Sequence, residues 1–151
     1  MIHMGKKALA IAAVVLFGLE AQAGSQEGQW DGPGRAALKA FVAAQKGWLD
    51  LPTPIAFYGD FTGDGGEDAV VFVYSDIAGA AGNFDLKVAL FAGADGAYRF
   101  LGYASEVYGV EPRDAAFSKG LVEITTTMPQ PGDPRCCPTG SQRYAIVTPS
   151  E

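Results

Sequence analysis

The densest chemistry in the chain lies in nine residues, Asp60-Phe-Thr-Gly-Asp-Gly-Gly-Glu-Asp68. Side-chain oxygens stand at the first, third, fifth and ninth positions of this run, on Asp60, Thr62, Asp64 and Asp68. The intervening glycines let so short a segment curl around a hard cation such as Ca²⁺, which takes about 6–8 oxygen ligands. Glu67 brings the acids of the run to four, a self-repelling array that a divalent ion relieves. The same residues also fit a turn that needs no ion. In that case the aspartates accept loop N–H groups, and Lys87 or Arg99 on a neighbouring strand supplies the counter-charge. A carboxylate-based hydrolase or a Mg²⁺ nuclease-type centre is a further alternative, but no Lys or His stands within the run and no second acidic cluster is evident.

The two cysteines, Cys136 and Cys137, are consecutive in Gly132-Asp-Pro-Arg-Cys-Cys-Pro-Thr-Gly140. Neighbouring Cα atoms are about 3.8 Å apart across a trans peptide, below the usual disulfide span of about 4.4–6.8 Å. A bond between them makes a small, stiff ring that closes no chain segment, so it adds little to global stability. Three states stay open: a vicinal disulfide serving as a rigid loop element, free or intermolecularly paired thiols, and a soft-metal site for an ion such as Cu(I). A thioredoxin-type centre would need Cys-x-x-Cys at a helix start.

The start of the chain reads as an export signal. Lys6 and Lys7 precede a twelve-residue apolar run from Ala8 to Leu19, and Ala21-Gln-Ala23 has the small-x-small pattern of a cleavage site. The run is shorter than the roughly 20 apolar residues of a membrane-spanning helix, so no stable membrane anchor is expected. Removal of residues 1–23 would leave 128 residues, the size of one domain. It would also remove His3, the only histidine. The mature chain would then have no imidazole for a Ser-His-Asp or Cys-His arrangement or for a His-ligated zinc, and a non-enzymatic role is expected. With 9 basic and 16 acidic side chains left, the mature charge would be −7, which disfavours nucleic acid as a partner. Expected locations are the periplasm or the exterior.

The elements that must position these residues follow from periodicity. Gly24 to Trp30 is polar and is expected to be a flexible N-terminus, with a single α+β domain over 31–151. Asp31-Gly-Pro33 resembles a helix start. Leu38, Phe41 and Val42 at i, i+3 and i+4 predict an amphipathic helix over 34–46 that ends at Gly47. Strands are predicted over 55–58, 69–74, 84–91, 98–103, 115–118, 121–127 and 143–148, with hairpin turns at Asp95-Gly96 and Lys119-Gly120. The expected fold is α+β: one N-terminal amphipathic helix packed, together with Trp48, on one face of an antiparallel meander sheet of six or seven strands. The other face of such a sheet can stay wet. Met128 to Gly140, rich in proline, forms the long connection before the last strand. The tyrosines and phenylalanines suit half-buried strands, with a glycan-stacking face as the other option.

Asp60-Phe-Thr-Gly-Asp-Gly-Gly-Glu-Asp68 resembles the strand–loop–strand calcium motif of FG-GAP and VCBS repeats. It departs from the EF-hand, whose bidentate glutamate position is taken here by Val71. The similarity covers about one repeat, from Ile55 to Tyr103. It implies carboxylate ligands from Asp60, Asp64 and Asp68, the hydroxyl of Thr62 and the backbone carbonyl of Gly66. The later Asp133-Pro-Arg-Cys-Cys-Pro-Thr139 segment, followed by Arg143-Tyr144, is similar to the tail of small exported bacterial proteins of the LppP/LprE lipoprotein type, although the lipidated cysteine of the lipoproteins is missing. The residues and these resemblances together lead to the expectation of an exported, non-catalytic envelope domain with a structural Ca²⁺ loop and a rigid Cys-Cys loop. Such a domain would serve as an interaction module for a protein or envelope partner. The alternative is a thiol-redox or soft-metal-binding envelope protein that uses Cys136 and Cys137.

Overall fold

The computed structural model of the protein describes residues 27–45, 54–76 and 84–149. The leader expected at 1–23, the helix stop at Gly47 and Trp48 lie outside those residues. In chain order the described elements are β1 (Glu27–Gly28), α1 (Ala36–Ala44), β2 (Ile55–Gly59), β3 (Asp68–Asp76), β4 (Phe84–Ala94), β5 (Ala97–Ala104), β6 (Val110–Ser118), β7 (Leu121–Met128) and β8 (Gly140–Val147). Two residues of the segment expected to be loose, Glu27 and Gly28, pair with Phe57 and Ala56 of β2. The helix starts at Ala36 behind Arg35 and has no side-chain cap bond, so Asp31 does not cap it.

The strands form two antiparallel sheets, β1-β2-β3-β4-β5 and β6-β7-β8. This corrects the expectation of a helix packed on one meander of six or seven strands: the described residues are predominantly β, with one short helix among them. The meander breaks between β5 and β6. Glu106 has φ 62° and Gly109 φ 95° there, left-handed backbone that turns the chain away from the line of β5. The chain leaves the β5 edge, buries Val107 and begins a second sheet.

That second sheet covers the face expected to be wet. Along β3, Val70, Phe72 and Tyr74 face a core shared with Phe117, Val122, Ile124 and Ile146 of the three-stranded sheet. Ala69, Val71 and Val73 point the opposite way, toward Leu38 of α1 and Phe91 of β4. Alternate side chains of a strand face opposite sides. A strand covered on both sides is therefore apolar at every position, as Ala69-Val-Val-Phe-Val-Tyr74 is. Strand β7 shows the contrasting pattern, with Val122, Ile124 and Thr126 buried and the residues between them partly exposed.

Both tight turns form where expected. Asp95 (φ 51°) and Gly96 (φ 76°) close the β4–β5 hairpin, and Gly120 (φ 80°) closes β6–β7. At the end of β2 a Cβ on Gly59 would sit 2.5 Å from Cγ of Phe117, so the absence of a side chain lets β6 cross closely over β2. Among the described strands β6 forms an edge of its sheet. It carries Pro112 and two register shifts, on either side of Arg113, which suits a position where one row of N–H groups has no ladder to serve.

Phe61 sits in the loop after β2, fully buried in the inter-sheet core, with its ring stacked on Phe117 at 6.3 Å between centroids. Phe61→Ala should lower stability by about 3–5 kcal/mol, read as a shift in the urea midpoint. Phe61→Leu should lose less.

Candidate functional site

The acidic loop connects β2 to β3, and its carboxylates bond mainly to its own backbone. Asp60 Oδ1 accepts the N–H of Gly63 at 2.6 Å, and Oδ2 accepts that of Gly65 at 2.9 Å. Thr62 Oγ1 lies 3.5 Å from Asp60 Oδ1. Asp64 Oδ1 accepts the N–H of Gly66 at 2.6 Å. Gly63 and Gly65 have φ of 79° and 86°, values that a side chain would strain. They wrap the loop around Asp60, which is half-buried, while Asp64 is exposed.

Asp68 differs from the other acids of the loop. It is completely buried. Its Oδ2 accepts the N–H groups of Phe61 and Thr62, each at 2.8 Å, and its Oδ1 accepts that of Gly93 on β4 at 3.0 Å. A buried charge is tolerated when donors surround it in this way. Three of the roughly four acceptor sites of a carboxylate are thereby occupied. A Cβ on Gly93 would collide with the carbonyl of Glu67, so this approach of β4 to the loop requires glycine.

The loop is also tied to the second sheet. The N–H of Gly120 in the β6–β7 turn donates to the Phe61 carbonyl at 2.8 Å, and the Lys119 side chain lies where a Cβ on Gly63 would stand. The five residues proposed as ligands, Asp60, Thr62, Asp64, Gly66 and Asp68, thus belong to one turn at the joint between the sheets. Among the described residues, no group of three or more His, Cys, Asp or Glu forms a metal-holding cluster. A calcium shell is not confined to those residue types, since hydroxyl and carbonyl oxygens also serve as ligands.

One cation reaches the loop from the helix side. Arg35, just before α1, places a guanidinium nitrogen 3.8 Å from Glu67 and its guanidinium carbon 4.1 Å above the Tyr58 ring. Tyr98 donates to Glu67 at 2.8 Å, and Tyr58 donates to the Gln29 carbonyl at 2.8 Å. Of the two expected counter-charges, Lys87 instead donates to Gln45 at 3.0 Å. Sequence reading missed Arg35 because it lies 32 positions before Glu67 and in no motif with it. Arg35, Glu67 and Tyr98 border an open cavity of about 310 Å³ between the helix start and the β4–β5 turn. Beside it Ala37, Ala40, Phe41, Phe100 and Tyr103 line a mainly apolar groove with Phe91 at its floor.

Cys136 and Cys137 are disulfide-bonded to each other, with Cα atoms 3.8 Å apart, and both residues are exposed. Their loop is shaped by Asp133. Its Oδ2 accepts the N–H groups of Gln130 and Thr139, and its Oδ1 accepts the Thr139 hydroxyl, all at 2.8 Å. These donors, Gln130 first, hold the Asp133 carboxyl below its ordinary pKa. The N–H of Cys137 donates to the Pro134 carbonyl at 3.0 Å, closing a turn around the pair.

No family model, curated protein or solved structure matches the chain.

Two predictions follow from these bonds. Asp68→Asn keeps the shape but places an amide N–H₂ among backbone donors; it should cost about 2–3 kcal/mol, read by urea denaturation. The second concerns alkaline stability. Burial pushes the Tyr58 phenol from 10.0 up to about 12 despite the lowering effect of Arg35. Burial also raises Tyr98, with its bond to Glu67 adding to the shift, and Tyr74. Between about pH 10 and 12 the unfolded chain gives up these protons while the folded chain keeps them, so stability should fall with rising pH through that window. Denaturation midpoints and tyrosinate absorbance check this together.

Proposed function

We propose that the protein is an exported, non-catalytic β-sandwich domain of the cell envelope, in which the Asp60–Asp68 loop takes up Ca²⁺ as a structural ion. The observation that carries this reading is the loop's position: it bonds to β4 through Asp68 and Gly93 and to the β6–β7 turn through Phe61 and Gly120. Whatever orders this loop therefore orders the joint between the two sheets.

The donor set suits a hard ion. Asp60 and Asp64 offer carboxylate oxygens, Thr62 a hydroxyl and Gly66 its carbonyl, and water completes such shells. Asp68, largely occupied by N–H donors, contributes mainly by holding the loop's shape. When bound, the ion would supply charge neutralisation for Asp60, Asp64 and Glu67. An ion that binds only the folded chain stabilises it by mass action. The exposed Asp133–Thr139 loop is then the element offered to an envelope partner.

Calorimetric titration with CaCl₂, paired with melting curves before and after a chelator, tests the ion site. Saturable binding with a higher melting temperature is expected. At a free concentration of about 100 times Kd the gain should be about 2.7 kcal/mol. Asp64→Ala, which removes an exposed carboxylate, should abolish the rise while leaving the chelated protein folded. An unchanged rise in that variant would return the aspartates to ordinary turn chemistry.

A further inference from the structure

We propose that Cys136 and Cys137 form a reduction-gated chelating site: in the folded protein a dithiol can reduce the pair, and its two thiols then bind a thiophilic metal or metalloid ion.

Three observations carry this inference. Both cysteines are exposed, so a reductant reaches the bond without any unfolding. The bond joins adjacent residues, so it closes no chain segment and removes almost no freedom from the unfolded chain. The loop takes its shape from elsewhere: Asp133 holds Gln130 and Thr139 at its base, and the turn around the pair closes through the backbone of Pro134 and Cys137. Breaking the disulfide removes none of these hydrogen bonds. The two sulfurs should therefore stay side by side after reduction, as a preorganised bidentate ligand of the soft type that thiophilic ions select.

The chemistry balances with a small dithiol as reductant. One of its thiolates attacks a sulfur of the pair, breaking the Cys136–Cys137 bond and forming a mixed disulfide. Its second thiolate displaces the protein sulfur, and the reagent leaves as a cyclic disulfide. Two electrons have passed to the protein, and each cysteine takes up a proton. Chelation can be followed with phenylarsine oxide. Its trivalent arsenic forms one bond to each sulfur, and its oxygen leaves as water with the two thiol protons.

The experiment reduces the full chain with dithiothreitol under native conditions, removes the reagent and counts accessible thiols. Two thiols are expected, with a melting temperature within about 2 °C of the oxidised protein, a shift worth under 1 kcal/mol for a domain of this size. One arsenical per protein should then block both thiols, and an excess of a competing dithiol should restore them. Cys137→Ser leaves a single thiol and loses the effective concentration of the second, so it should hold the arsenical at least on the order of 10²-fold more weakly. Thiols that appear only in denaturant, a melting temperature that collapses on reduction, or a single-thiol variant that binds as tightly would each overturn the proposal. Its outcome is independent of calcium binding, because the Asp60–Asp68 loop contributes no residue to the site.

Discussion

A carboxylate shut away from water must find its hydrogen bonds within the protein, and Asp68 finds three. Two come from the loop that precedes it and one from Gly93 on β4, the next strand in the chain. These bonds fix the path of the loop as it enters β3, seat Phe61 in the core and bring β4 against the loop. The bond from Gly120 to the Phe61 carbonyl then carries the constraint into the second sheet. The acidic loop is thus a structural joint as well as a candidate ion site. A divalent ion would add to an arrangement that Asp68 already holds in place.

Much of the fold was legible in local pattern. The strands centred on residues 55–58, 69–74, 84–91 and 98–103 and the turns at Asp95-Gly96 and Lys119-Gly120 follow from β-branched runs and from residues that tolerate positive φ. What local pattern could not supply was the division of the strands between two sheets. The signal was nonetheless present in β3. Ala69-Val-Val-Phe-Val-Tyr74 has no polar position, so neither of its faces can meet water, whereas a sheet with one wet face would show alternation. Read that way, the run calls for a second layer opposite the helix. The irregular start of β6 was missed for a different reason: Pro112 and the positive φ values of Glu111 and Asp114 disguise a strand as a turn.

For the candidate site, spacing alone marked Asp60, Thr62, Asp64 and Asp68 as one turn, because they are close in sequence. It could not assign them different tasks. Burial divides them, with Asp68 wholly inside and Asp64 outside, and burial depends on partners such as Gly93 that lie far along the chain. The same holds for Arg35, whose contacts with Glu67 and Tyr58 exist only because the helix start is brought against the β4–β5 turn. The Cys-Cys loop was easier to read, since adjacency in sequence settles most of its geometry. The Asp133 clamp, by contrast, could be seen only in three dimensions.

The irregularity of β6 also bears on how the protein behaves in company. A sheet edge with a regular row of N–H and C=O groups is a template on which another chain can add, and the addition can repeat into fibres. Pro112 has no N–H to offer a ladder, and the register shifts on either side of Arg113 bend the strand out of line. An incoming strand would find neither a continuous ladder nor a flat surface. This edge of the sandwich is therefore blunted against intermolecular pairing, and crowded copies of the protein should stay separate along it.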